Sequence, residues 1–523
     1  MPKQLTCLLV FSAVGWFWLQ SLLAQRLPSG ATVSEQLLQL ATAYLQAGNL
    51  PAAEAELRKA LAQAPHDVTA LSMLGGILGM QRRLEESSRQ FEKVLQLEPG
   101  TAPARRNLCA NQMQLGQLAA ARKNLEMLLK ADPADAQSSL MLGLTLQRQR
   151  QYALAIPYLE KVSQLVWQQS DSVAALARCY YRTGKKEKGR DQLNRLQTML
   201  SDPAAIYTGG TIALEAGDWE QAEKLFSSIR SSYPNPTLVT YQLAKIRYQT
   251  GRYGESKFLL ESIANSSQSN GAVLNLLAWC YLKEGNEETA AKILSYAIDK
   301  FPEEASNFID LGKISLQRGR VNPGLEIVER GAARHAGSAA LLELKGELES
   351  KAGLHAKAVD SYAKAVKLNP QSPESLLGLA TAQTNLLQNR EAVATFEKGL
   401  RLFPRYARFC AEYGKTLLLP WASGEIPGAS AKAEQMLRKA IQLDGTLALA
   451  HFELGNFLVK NSRAEEAFPH LQAAAKLDSK NTETHFVLAR AYRALGRTEE
   501  AEREMKLFQQ LEPTAKGGNG SKQ

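Results

Sequence analysis

The chain has 523 residues, 45% of them hydrophobic, and carries 62 Lys and Arg against 52 Asp and Glu, for a formal net charge of +10. A basic excess of this kind favours acidic partners or anionic surfaces. The basic residues are interspersed with acidic ones along the whole chain, and together with the expected export described below this speaks against nucleic acid as the partner.

The first predicted element is residues 1–24. Lys3 is its only charged side chain, and Leu5 to Ala24 is almost wholly apolar. A basic start, an apolar middle and Ala24 ahead of Gln25 read as a secretory signal cut after Ala24. The alternative is a retained N-terminal membrane anchor through residues 4–24, since Leu22 is large for a cleavage site. Trp16, Phe17 and Trp18 also resemble an interfacial aromatic belt. The chain is therefore expected to be exported, either periplasmic or secreted, or held to a membrane by this segment. Residues 25–33 are a short linker.

From residue 34 to residue 515 a single pattern recurs about every 34 residues. In the first copy, Ser34 to Asp67, Ala41, Tyr44, Gly48, Ala53, Ala60 and Pro65 mark it. The following copies carry Gly75, Phe91 and Pro99; then Gly116, Ala121 and Pro133; then Gly143, Tyr152 and Ala155. The fifth has Ala177, Tyr180 and Gly184, with Gly189 where alanine is usual. The sixth runs through Gly210, Gly217, Ala222, Phe226 and Pro234. The seventh has Ala244 and Gly251, and ends in the polar run Asn265 to Asn270. The eighth, Gly271 to Glu304, is the clearest. Its Leu274, Leu277, Ala278 and Tyr281 fall on one face of a helix. Gly285 ends that helix. Ala290, Leu294 and Ala297 form a second face, and Pro302 closes the pair. The small residues allow two helices to approach closely. One such hairpin cannot bury its apolar faces, whereas stacked copies can.

The pattern continues to the C-terminus. In the ninth copy Gly324 and Gly331 occupy both alanine positions, which predicts a soft segment. The tenth and eleventh are regular. The twelfth is stretched by a Pro/Gly-rich loop near residues 419–430 that contains Trp421. The thirteenth uses Gly455 and Ala467, the fourteenth Ala489, Tyr492, Gly496 and Pro513. Residues 516–523 read as a disordered tail.

The length of the unit, its small residue at position 8, tyrosine at 11, alanines at 20 and 27 and proline at 32 resemble the tetratricopeptide repeat family. The resemblance implies an all-α fold, a right-handed α-solenoid of about 14 helix-turn-helix repeats. It also implies that positions 5, 9, 12 and 13 of the first helices line a concave groove that holds partners. In repeats five to eight those positions hold Arg178, Tyr181, Arg182, Tyr207, Tyr241, Lys245, Tyr248, Asn275, Trp279 and Lys283, with Glu215 as the acidic exception. Tyrosine, tryptophan and arginine dominate binding energies at interfaces. Some family members clamp acidic peptide termini through lysine and asparagine at positions 5 and 9. Ala174, Tyr207 and Tyr241 at position 5 depart from that pattern. Trp421 in the inserted loop either packs back on its repeat or projects as a further partner anchor.

No catalytic residue, metal site or cofactor is read from the sequence. His451 and His485 share position 4 of consecutive repeats and could stack side by side, with His470 between them in sequence. Filling packing positions is the simpler reading, because a metal site needs convergent ligands and a second shell. Cys109, Cys179, Cys280 and Cys410 sit on first helices, too far apart for bridges, and read as small buried residues. Carboxylate pairs such as Glu85–Glu86 suit helix starts. The expectation is a non-enzymatic envelope scaffold that binds extended or acidic segments of protein partners. The alternatives are a component of polysaccharide export that binds a glycan or a synthase, and a non-catalytic subunit of an enzyme complex.

Overall fold

The computed structural model describes residues 33–200, 202–419 and 424–517. The signal or anchor segment, Trp421 and the end of the tail lie outside them. Among the described residues there are 29 α-helices and no strand. Twenty-eight of these are the two helices of each of fourteen repeats; the additional one is a short helix in repeat four.

Each repeat is a helical hairpin whose local chemistry follows the sequence. In repeat eight, Asn270 caps the first helix, Gly271–Lys283, by accepting from the Val273 amide, and Asn286 caps the second, Glu287–Lys300, through the Thr289 amide. Asparagine is among the best residues for this role because its side-chain oxygen satisfies an amide that the helix leaves unpaired. Between the helices Gly285 adopts φ +79°, and glycines such as Gly48 and Gly496 do the same at the equivalent position. In repeats two, four, eleven and thirteen the left-handed residue is Arg82, Arg150, Leu387 or Ser462, with φ of 60–61°.

The chain divides into two compact units, Met1–Ile263 and Ala264–Gln523. In each, the core is a succession of local clusters. In the second unit, for example, Ala278, Ala290, Leu294, Phe308, Leu311, Val328, Leu341 and Leu344 pack together, drawn from repeats eight to ten. Such a fold buries apolar surface between neighbours only.

Some repeats depart from the regular hairpin. In repeat four the second helix, Tyr152–Lys161, is short; it contains Pro157, but Ala464–Leu477 of repeat thirteen holds Pro469 at the same place and runs its full length. The helix stops at Lys161, and the short helix Ser163–Trp167 fills the interval before repeat five. In repeat five a π-helical turn, Leu196–Leu200, extends Lys186–Arg195. In repeat nine the helix Val321–Arg334 is continuous despite its two glycines. In repeat twelve the helices Ala407–Leu417 and Ala429–Leu443 are set further apart along the chain than in other repeats, and Ile426 packs against the cluster that contains Leu417 and Ala433. The last helix, Thr498–Gly517, runs past Pro513 into the first two residues of the expected tail.

Candidate binding surface on the first helices

In the first unit, repeat five presents Arg178, Tyr181 and Arg182 on the helix Ser170–Arg182. Tyr181 is tied into the fold. Its hydroxyl donates to Asp218 Oδ2 at 2.9 Å, and Arg190 Nε and Nη2 donate to the same carboxylate at 2.7 and 2.6 Å. Only 2% of the Asp218 side chain is exposed. Burial alone would push this carboxyl up, but the hydrogen bonds from Arg190 and Tyr181 outweigh it and hold it down at about 2. Burial, and then the bond to Asp218, push the Tyr181 phenol well above its ordinary value. The Tyr181 ring also lies where an alanine methyl would be in other repeats, since a Cβ on Gly189 would sit 2.8 Å from it. The unusual glycine is therefore the seat of this tyrosine.

Arg182 lies 3.5 Å from Glu215, both about half exposed, so the acidic exception partly neutralises its neighbouring cation at little net gain. Arg178 is half-buried, and its Nε has no hydrogen-bond partner among the described residues. Tyr207 of repeat six stacks on Tyr233 with centroids 4.8 Å apart, meets Phe226 edge-on at 5.3 Å and accepts from Gln242 Nε2 at 3.2 Å. In repeat seven Lys245 Nζ sits 5.9 Å from the centre of the Tyr241 ring, and Tyr248 meets Tyr253 edge-on at 5.2 Å.

In the second unit, Asn275, Trp279 and Lys283 lie on Gly271–Lys283. Asn275 Nδ2 and Trp279 Nε1 both donate to Asp310 Oδ2 of the following repeat, each at 2.8 Å. Asn275 also donates to Asn307 Oδ1 at 3.0 Å. Lys283 is exposed. The aromatic rings at these positions are thus half-buried, Tyr181 and Trp279 are bonded to the next repeat, and the exposed charges Arg182 and Lys283 stand at the helix ends.

Asp218, Arg190 and Asp310 were not among the candidate residues. Their signal was available: the partners lie 28 to 37 residues apart, close to one period. The same spacing joins Arg83 to Glu54, Arg252 to Glu223 and Arg463 to Glu434, each 29 residues apart. Several arginines are paired in this way between neighbouring repeats, which leaves the net basic excess unchanged.

The remaining candidates resolve simply. His451 Nδ1 lies 3.2 Å from His470 Nδ1, while His485 pairs with Glu504 at 2.6 Å, so His451 and His485 each bond within their own repeat rather than to each other. Burial, and then His451, hold the His470 imidazole below its ordinary value. Among the described residues no group of three or more His, Cys, Asp or Glu is arranged to hold a metal. Cys109, Cys179, Cys280 and Cys410 are buried thiols, and burial pushes Cys109 and Cys179 up to about 12. Among the described residues no helix is long and apolar enough to cross a membrane.

One tetratricopeptide repeat model matches residues 80–142, 213–280 and 458–513, and two further models of the same description match 38–102 and 309–373, and 274–304. The chain is similar to the TPR repeat-containing protein YpiA of Bacillus subtilis, 24% identical over 348 residues that cover 61% of this chain and 82% of that protein. It is also similar to the cellulose synthase operon protein C of Xanthomonas axonopodis pv. citri, 27% identical over 258 residues. That match covers 47% of this chain and only 15% of the relative. Among solved structures, the APC/C hetero-tetramer Cut9–Hcn1 aligns with 88% of this chain and 97% of its own, at 12% identity and a TM-score of 0.39. The recurring hairpins, the left-handed turn shared by their interhelical loops and the family models matched along the chain agree, and the chain belongs to the tetratricopeptide repeat family.

Proposed function

We propose that this protein is a non-enzymatic interaction scaffold of the cell envelope, and that it binds extended segments of partner proteins on the outward positions of its first helices. The observation that carries this reading is the state of the aromatic side chains there. Tyr181 and Trp279 bond to carboxylates of the next repeat, and Tyr207 stacks on Tyr233 of its own repeat and accepts from Gln242 of the next, so they offer apolar area that loses little entropy on binding. Lys245 in the first unit and the exposed Lys283 in the second each add a cation. Exposed charges of this kind set association rate and salt dependence more than affinity. Placement in the envelope rests on the apolar residues 5–24 of the sequence.

A second reading is a part in polysaccharide assembly, favoured by the similarity to cellulose synthase operon protein C. In that case the same rings would stack on a glycan or the surface would hold a synthase.

The test is a pull-down from envelope extract with the full chain, the Lys245→Glu and Lys283→Glu variants, and N-terminal sequencing of the mature protein. The scaffold reading expects specific protein partners whose capture weakens in the variants at low salt. Capture of a glycan or a synthase would favour the second reading. Equal capture by parent and variants would remove this surface from the binding site.

A further inference from the structure

The turns of repeats four and five, in the first unit, flank an open depression of about 370 Å³ lined by Arg150, Gln151, Tyr152, Leu154, Arg182 and Thr183. Consecutive repeats contribute one arginine each. Arg150 is exposed, and no ion pair or side-chain hydrogen bond engages its guanidinium among the described residues. Among the described residues Arg182 makes a loose contact with Glu215 at 3.5 Å and no closer ion pair. Among the lining side chains none is acidic, and the Gln151 oxygen already takes a hydrogen bond from Arg122 at 2.8 Å. The lining thus has donors to spare. Beside them Leu154 is 53% exposed and forms an apolar wall with Tyr152.

Arg150 shares its backbone conformation with Arg82, Leu387 and Ser462. Arg150 stands at the left-handed turn position that most repeats fill with glycine, with φ +61°. A side chain there costs backbone energy that glycine does not. The glycine repeats demonstrate that the hairpin closes without any side chain at this point.

We infer that this depression binds an acidic side chain of an extended protein segment, with the carboxylate held by Arg150 and Arg182. An adjacent apolar side chain of the same segment lies against Tyr152 and Leu154. Guanidinium groups suit this recognition because they offer paired donors to a carboxylate. The inference rests on the scaffold reading and names one contact point within it.

The experiment uses the full chain and fluorescein-labelled short peptides of alternating glutamate and leucine. Glutamine–leucine peptides and an oligogalacturonate serve as the other probes. The acidic peptide should bind, and its Kd should rise about fivefold or more in Arg150→Gly and in Arg182→Gln, with a stronger loss at low salt. Arg150→Gly relieves the turn, so its melting temperature should equal or exceed the parent's, which separates a lost contact from a lost fold. Leu387→Gly, the same change at the same turn position in repeat eleven, should leave peptide binding unaltered. Unchanged affinity in Arg150→Gly overturns the inference, as does equal binding of the glutamine–leucine peptide. Binding of the oligogalacturonate without the peptide overturns the protein-segment assignment in favour of an acidic glycan. If the parent captures envelope proteins yet binds no peptide, the depression is not the site while the scaffold reading stands. Failure to capture any protein strikes the scaffold reading itself.

Discussion

Among the described residues four occupy a left-handed turn without being glycine, and Leu387 is the plainest of them, with φ +61° and 77% of its surface exposed. Nothing in its packing offsets the strain. Leu387→Gly should stabilise the chain by about 0.5–1 kcal/mol, the left-handed cost less the extra entropy of unfolded glycine. A thermal melt checks it, and a lower melting temperature would mean the leucine contributes packing after all. Gly331 poses the opposite case. On an open helix face, alanine would gain about 1 kcal/mol over glycine. Here a Cβ would sit 2.8 Å from Phe308 Cβ and 3.1 Å from Leu341 Cδ2, inside a full contact distance. Overpacking of that kind costs about 1–3 kcal/mol and wins. Gly331→Ala should therefore lower the melting temperature, whereas a rise would show that repeat nine has room. The glycine that suggests a soft helix in the sequence is, in the structure, the space into which Phe308 packs.

Between elements, the bonds of Tyr181 and Arg190 to Asp218 fasten repeat five to repeat six. The Asp218 carboxyl titrates at about 2 in the folded chain against an ordinary 3.8. Because the folded value is depressed, the stabilisation is fully present above about pH 4 and is lost as pH falls toward 2. The difference corresponds to about 2 kcal/mol. Asp218→Asn should forfeit an amount of this order near neutral pH, and the gap between variant and parent should close in urea unfolding as pH drops from 5 to 2. A gap that stays constant with pH would assign the loss to shape instead of charge. Trp279 and Asn275 make a parallel link through Asp310. Trp279→Ala is consequently a poor probe of binding alone, since it also cuts a contact between repeats.

For the molecule as a whole, the core is a succession of local clusters drawn from neighbouring repeats, such as that joining repeats eight to ten. Stability in such an array is a sum of repeat and interface contributions, without one all-or-none core. Denaturant unfolding should therefore be broad, with a slope well below that expected from the surface 523 residues expose. Hydrogen exchange should protect the repeats unequally. A single sharp transition with equal calorimetric and van't Hoff enthalpies would contradict this picture.

The amino-acid sequence by itself determined the period, the number of repeats, the helix boundaries at Gly285 and Pro302 and the stretched twelfth repeat. These features are local and restated in nearly every copy, so caps, turn glycines and small contact residues reinforce one another along the chain. The candidate surface was legible only as a set of positions. Tyr181 and Trp279 stand on the expected helix face, yet whether a ring points outward or bonds to the next hairpin depends on how far one repeat is rotated and shifted against its neighbour. That rotation brings Asp218 under Tyr181 from 37 residues away and Asp310 under Trp279 from 31. It also sets Arg150 and Arg182 around one depression. Only the tertiary structure decided these pairings, because they arise from the packing of one repeat on the next and no single repeat contains both partners.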